Sequence, residues 1–277
     1  MCRWLAYSGS PIRLDELLIK RDRSLIDQSL HARQGATPTN GDGFGVGWYE
    51  DGEPPRVYRS THPAWNDRNL RELAAAVSSP LFFAHIRAST GTAIQETNTH
   101  PFRHENWLWM HNGLVREFPQ LRRELALAVD DSLFASIEGT TDSETLFYLA
   151  LTFGLESDPV SAVERAVGFV EDTAEKHGID LPVQMTVATT DGEKVWAFRY
   201  SSEGTSRSLY FSTRMDTLRA LYPESEELSS LSDETRVIVS EPLGDLPGAW
   251  NEAPESSVGI IQPGADEIRP FTPLRAR

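Results

Sequence analysis

Strand-like segments open the chain, helical segments follow and strand-like segments return, an order that predicts an α+β fold of largely antiparallel sheet covered by helices. The strict strand–helix–strand alternation that builds a parallel sheet is not the pattern. The pairs Asp51-Gly52 and Asp191-Gly192 each fall between two strand-like runs, as antiparallel hairpins require.

Residues 3–7 are apolar and aromatic enough for a buried first strand. Leu14, Leu17 and Leu18, then Leu25, Ile26 and Leu30, mark helical turns separated by Lys20-Arg21-Asp22-Arg23. Residues 31–41 are polar and read as a loop. Phe44, Val46 and Trp48 alternate with glycines, the pattern of a strand that admits a close neighbour, and Val57-Tyr58 returns beside it. Residues 67–77 form an amphipathic helix with Leu70, Leu73 and Val77 on one face. Residues 81–86 are a buried strand that delivers Arg87-Ala88-Ser89-Thr90-Gly91 into a loop, and residues 107–110 are a strand ending at His111-Asn112-Gly113. Helices are expected over 118–129, from a cap at Asp142 onward, and over 159–177 with Gly178 as its stop. Strands are expected at 184–188, 195–200, 208–212, 236–240 and 258–261, and the acidic, serine-rich 224–234 is a solvated loop.

The 277 residues, 39% hydrophobic and 24% charged, describe an ordinary globular chain able to bury a sizeable core, expected as one domain over 1–277. A net charge of -15 argues against nucleic acid and against an anionic membrane surface as partners. One cysteine makes no internal disulfide, and neither a cleavable leader nor an apolar run near the roughly 18 residues of a bilayer span is present, so a cytoplasmic location is expected.

That cysteine is Cys2. With Met1 removed it carries a thiol and a free α-amine on one residue, a nucleophile with its own base. The plain alternative is a small buried hydrophobe at the start of a strand. Other polar clusters sit at strand ends, where loops present function. The Arg87 guanidinium suits bidentate capture of a carboxylate, or is an ordinary surface arginine. Asn112-Gly113 offers an amide and a backbone N–H to an oxyanion, or is a hairpin turn. Asp142 is, alone, an N-cap. His85, His100, His104 and His111 lack the i, i+4 spacing of a metal pair, so no metal is expected. Gly41, Gly43, Gly45 and Gly47 run inside a strand pattern without the helix and lysine of a phosphate loop, so no nucleotide cofactor is expected either.

The order of four stretches is more telling than any one of them: Cys2; His85-Ile86-Arg87-Ala88-Ser89-Thr90-Gly91; Asn98-Thr99-His100-Pro101 leading to His111-Asn112-Gly113; and Thr141-Asp142-Ser143-Glu144. In this order and spacing the chain resembles the class II glutamine amidotransferases, a branch of the N-terminal nucleophile hydrolases. The resemblance covers about the first half. The opening Met1-Cys2-Arg3-Trp4-Leu5-Ala6-Tyr7 and the stretch Gly41-Asp42-Gly43-Phe44-Gly45-Val46-Gly47-Trp48 are similar to its stand-alone members, among them a γ-glutamyl amidohydrolase of ergothioneine biosynthesis.

The resemblance implies a four-layer αββα sandwich with two antiparallel sheets. It implies that Cys2 attacks the side-chain carbonyl of glutamine or a γ-glutamyl compound, with its α-amine, of reference pKa about 7.7–8.0, as base. Asn112 and the Gly113 N–H hold the oxyanion, Arg87 with Ser89 or Thr90 grips the α-carboxylate, and Asp142 pairs with the α-ammonium. His100 is structural first, and Arg33 is a supporting arginine whose Arg33-Gln34-Gly35 setting departs from the family's Arg-Gly pair. Because 277 residues leave no room for a fused synthase, a stand-alone γ-glutamyl amidohydrolase is expected. The alternatives are a glutaminase subunit passing ammonia to a synthase partner, and a non-catalytic γ-glutamyl-binding protein.

Overall fold

The computed structural model describes residues 2–31, 39–50, 52–89, 91–229 and 231–275. The strands are β1 (Arg3–Arg13), β2 (Phe44–Trp48), β3 (Arg56–Ser60), β4 (Ser78–Ile86), β5 (Phe102–His104), β6 (Trp107–Val115), β7 (Val183–Thr190), β8 (Val195–Ser201), β9 (Tyr210–Ser212), β10 (Arg236–Val239), β11 (Trp250–Glu252), β12 (Ser257–Ile261) and β13 (Glu267–Pro270). They form a seven-stranded sheet in the order β11-β9-β10-β1-β4-β2-β3 and a six-stranded sheet in the order β13-β12-β8-β7-β6-β5. Every pairing described is antiparallel.

Side-chain alternation sorts the residues into three cores. Trp4, Ala6, Leu81 and Phe83 of the larger sheet meet Leu108, Met110, Ala188 and Ala197 of the smaller one, a core between the two sheets. The opposite face of the larger sheet, with Leu5, Tyr7, Phe82 and Val46, packs on α1 (Asp15–Leu18), α2 (Leu25–Leu30) and α3 (Arg68–Ala76). The outer face of the smaller sheet, with Trp107, Trp109, Val187 and Phe198, packs on α4 (Phe118–Leu127), α6 (Asp142–Thr152) and α7 (Pro159–Lys176), the short α5 being Asp131–Phe134. The four layers are therefore helices, sheet, sheet, helices. Phe82 and Phe83, neighbours on β4, feed different cores, and burying each contributes about 1.5–3 kcal/mol. Among the described residues no helix is long and apolar enough to cross a membrane.

Several sequence expectations are corrected. Asn112-Gly113 is not a turn: β6 runs on to Val115, pairing Asn112 with Thr186 and Gly113 with Met185. The residue spacing hides this because Gly113 is there to clear a neighbour. A Cβ at this position would lie 1.9 Å from the Gln184 carbonyl oxygen. Asp142 is not the cap of α6. Thr141 is, its hydroxyl accepting from Glu144 N–H at 3.2 Å, and Asp142 is the first helical residue. Strand β1 is longer than expected, shifting register between Ser8 and Ile12, and the short β5 had no sequence signal of its own. The acidic 224–234 stretch carries the one-turn α9 (Glu226–Ser229), following α8 (Met215–Leu221). The glycine alternation in β2 reads as expected: a Cβ on Gly45 would strike the His100 carbonyl oxygen at 2.2 Å.

Candidate active site

Antiparallel register brings the first described residues beside the end of β4. Arg3 pairs with Ile86 and Trp4 with His85, so Cys2, just before β1, meets the segment just after β4. The Cys2 Sγ lies 3.4 Å from the Ala88 N–H and 3.6 Å from the Ala88 carbonyl oxygen. From the facing sheet, Asn112 reaches across, its Nδ2 donating to the Cys2 carbonyl at 3.0 Å. An amide nitrogen carries two hydrogens, so this contact leaves a second donor on Asn112. Thr186 on β7 joins the two strands, its hydroxyl accepting from the Trp4 indole at 3.2 Å and donating to the Asn112 carbonyl at 3.4 Å.

Arg87 is buried and held by its own loop. Its Nη2 donates to Thr92 Oγ1 at 2.7 Å, to the Ala93 carbonyl at 3.0 Å and to Ser89 Oγ at 3.3 Å. Burial pulls its pKa down, opposed by Cys2 and by Asp42. Asp42 also accepts from the Ser89 N–H at 2.7 Å, which ties the loop to the start of β2. Ser89 thus sits with Arg87, while Thr90 and Arg33 lie outside the described residues.

Asp142 accepts from the Val115 N–H at 2.7 Å through one oxygen and from the Ser143 N–H at 2.8 Å through the other. It is therefore fixed to the end of the strand that carries Asn112 and Gly113. The Ser143 hydroxyl continues the chain to His111 Nδ1 at 2.7 Å. Burial lowers the His111 pKa and Asp142 opposes it. Asn98 links the Arg87 loop to the segment before α6. Its Nδ2 donates to the Ala93 carbonyl at 2.9 Å and its Oδ1 accepts from the Thr140 N–H at 2.8 Å, so the Arg87 loop and the start of α6 share one clamp.

His100 is buried among rings, 4.2 Å from the His85 centroid and 4.4 Å from Phe102. Burial first, then the neighbouring His85 and His111 rings and the Arg59 and Arg87 guanidinium groups, hold its pKa well below the ordinary range. Burial pushes His85 down to about 3, against a 3.3 Å contact with the His111 carbonyl. Both rings are neutral at pH 7. Among the described residues, no group of three or more His, Cys, Asp and Glu is arranged to hold a metal ion.

Five contributors had no role assigned from sequence. Arg3 donates to the Cys2 carbonyl at 3.0 Å and pairs with Glu241 at 3.0 Å, both side chains buried. Glu241 lies far along the chain, where no local pattern reveals it. Asp42 and Asn98 stood inside recognisable stretches, but their work is hydrogen bonding that spacing does not show. Arg207 follows β8 in a loop whose relation to Cys2 exists only in three dimensions. A cleft of 790 Å³ lined by Arg59, Glu138, Glu144 and Tyr148 lies near β5, and none of the expected site residues lines it.

Residues 19–269 match the model of the family of class-II glutamine amidotransferases. The chain is 34% identical over 294 residues to the probable glutamine amidotransferase DUG3 of Saccharomyces cerevisiae, an alignment covering 95% of this chain and 82% of that protein. It is 28% identical over 257 residues to the gamma-glutamyl-hercynylcysteine sulfoxide hydrolase of Mycolicibacterium smegmatis, covering 92% and 93%. Among solved structures, the glutamine aminotransferase class-II domain protein of Silicibacter pomeroyi superposes with a TM-score of 0.76 at 32% identity, over 99% of this chain and 100% of that one. The glutamine phosphoribosylpyrophosphate amidotransferase of B. subtilis, 15% identical with a TM-score of 0.60 over all of this chain and 50% of that one, shares the fold. The sandwich is that of the N-terminal nucleophile hydrolases, and with the family model spanning most of its length the chain belongs to the class II glutamine amidotransferases and is an enzyme of that class.

Proposed function

We propose that the chain is a γ-glutamyl amidohydrolase that works through Cys2 as its N-terminal residue, once Met1 is removed. The observation that carries the reading is the meeting of Cys2 with the loop after β4 and with strand β6 at once: Sγ at 3.4 Å from the Ala88 N–H, and the Asn112 amide at 3.0 Å from the Cys2 carbonyl. The Cys2 α-amine accepts the thiol proton as sulfur attacks the side-chain carbonyl of the substrate. The second N–H of Asn112 and the Gly113 N–H receive the oxyanion, where one lost donor typically costs roughly 10²–10³ in rate. Collapse breaks the C–N bond, the proton passes from the α-amine to the leaving nitrogen, and a γ-glutamyl thioester remains. Water, deprotonated by the same amine, attacks the thioester; glutamate leaves and the thiol regains its proton. Arg87 and Ser89 grip the α-carboxylate and Asp142 the α-ammonium, so a free γ-linked glutamyl group is selected over a peptide-bonded one.

The name of the mycolicibacterial relative, a hydrolase of a γ-glutamyl compound, supports a leaving group larger than ammonia. Intact mass of the purified chain and of the chain treated with a glutamine-like diazo-ketone tests the chemistry. Loss of Met1 and a single label on Cys2 are expected; a fully retained Met1, or label elsewhere, overturns the mechanism. Glutamate release from a panel of γ-glutamyl compounds then tests the substrate class. Release only on addition of a synthase would replace the stand-alone hydrolase with a glutaminase subunit.

A further inference from the structure

The loop between β8 and β9 closes the Cys2 end of the sandwich. On one side Gln184 Nε2 donates to the Thr205 carbonyl at 3.3 Å, and the Gln184 carbonyl is the group against which Gly113 packs. On the other side Ser208 Oγ donates to the Ser240 carbonyl at 2.9 Å, and Ser240 Oγ accepts from the Trp4 N–H at 3.0 Å. Between these anchors Ser206 is fixed by Arg199 at 2.9 Å and by Glu255 at 2.7 Å. Arg207 is therefore held on a pinned loop that spans from the strand beside Gly113 to the strand beside Cys2.

Its side chain is partly buried, and its Nε is fully buried with no hydrogen-bond partner among the described residues. A buried guanidinium ordinarily has a carboxylate. Burial lowers the Arg207 pKa, the Cys2 thiol opposes this and Arg3 adds to it. Arg3, by contrast, pairs with Glu241 at 3.0 Å.

We propose that Arg207 is a specificity-determining residue that binds a carboxylate on the leaving-amine side of the substrate, so that γ-glutamyl amino acids are preferred to neutral γ-glutamyl amides. This assignment rests on the amidohydrolase reading above. The order β9-β10-β1-β4 places Arg87 on one side of Cys2 and the Arg207 loop on the other. With the scissile carbonyl at Sγ and the glutamyl head on Arg87, the leaving group extends toward Arg207. A guanidinium fork matches a carboxylate bidentately, which a lysine does not.

The test compares γ-glutamylglycine with γ-glutamylglycinamide, which differ in that one charge. The full chain should give a higher kcat/KM for the acid, and Arg207→Gln should lower the acid-to-amide ratio by about 10- to 100-fold, the range of a charge-assisted hydrogen bond. Arg207→Lys should fall between the two and covers the case in which the glutamine variant does not fold. Thermal unfolding of each variant checks folding. An unchanged ratio overturns the proposal, whether both rates fall together, as a role at the thiol would give, or neither falls. In that outcome the amidohydrolase reading stands on its turnover. No hydrolysis of either compound or of glutamine, with no label on Cys2, overturns that reading and the proposal with it.

Discussion

At the scale of single residues, the site is made of groups that do two jobs. Asp142 is proposed to pair with the substrate ammonium, yet its two oxygens already accept the Val115 and Ser143 N–H groups. Asp142→Asn offers one carbonyl oxygen where the carboxylate offers two, and its NH₂ faces a donor. The substitution should therefore raise KM, as loss of the ammonium partner requires, with a smaller fall in kcat. It should also cost about 1–3 kcal/mol of stability, because one backbone donor is left without its acceptor. Steady-state kinetics beside urea denaturation separates the two effects. A large fall in kcat at unchanged KM would contradict the binding role. Identity of these residues was legible in the sequence, since Cys2, Arg87, Asn112 and Asp142 stand in recognisable stretches. Their partners were not, because a hydrogen bond from Asp142 to Val115 depends on how α6 docks on β6, and no spacing encodes that.

At the scale of elements, β4 and the segment before β5 meet through two neutral histidines. The rings of His85 and His100 meet at 4.2 Å, tilted by 32°, and neither nitrogen of His100 has a hydrogen-bond partner among the described residues. The folded pKa of His100 is far below its ordinary value and that of His85 is about 3, so the unfolded chain takes up these protons first, near pH 6.5. Stability from the neutral rings is complete above pH 6.5 and is lost as pH falls toward the folded values, by about 1.4 kcal/mol per pH unit for each ring. His100→Phe keeps the ring and removes the titration. It should lie within about 1 kcal/mol of the parent at pH 7 and lose less stability on acidification. Urea denaturation at pH 7, 6 and 5 reads this out, and equal slopes for parent and variant would refute it. Strand and helix existence was largely readable from periodicity here, and the alternating glycines of β2 correctly announced a close neighbour. What that neighbour was, the His100 carbonyl, and that Asn112-Gly113 continued a strand instead of turning, came from contacts between sheets.

At the scale of the whole molecule, Cys2 is positioned by residues from both ends of the chain. Arg3 on β1 and Arg23 between α1 and α2 converge on Glu241, just after β10, with contacts of 3.0 and 2.7 Å, and Arg3 also donates to the Cys2 carbonyl at 3.0 Å. The first half contains most of the recognisable chemistry, but the second half supplies the charge that lets Arg3 remain buried beside Cys2. That division explains why residues 180–277 read only as strands: Glu241 acts through pairing with distant arginines, a relation fixed by the order β10-β1 in the sheet. Glu241→Gln leaves Arg3 buried without its counter-charge and should cost about 3–5 kcal/mol. Replacing Arg3 by Met and Glu241 by Leu together removes the charge and its partner, while Arg23 keeps Asp245 at 2.7 Å, so much of the lost stability should return. Turnover should not return with it, because the double variant has nothing in place of the Arg3 hydrogen bond to the Cys2 carbonyl. Urea denaturation midpoints and glutamate release from the same preparations test both halves. Recovery of activity together with stability would show that the pair serves the fold alone, and that Asn112 suffices to hold Cys2.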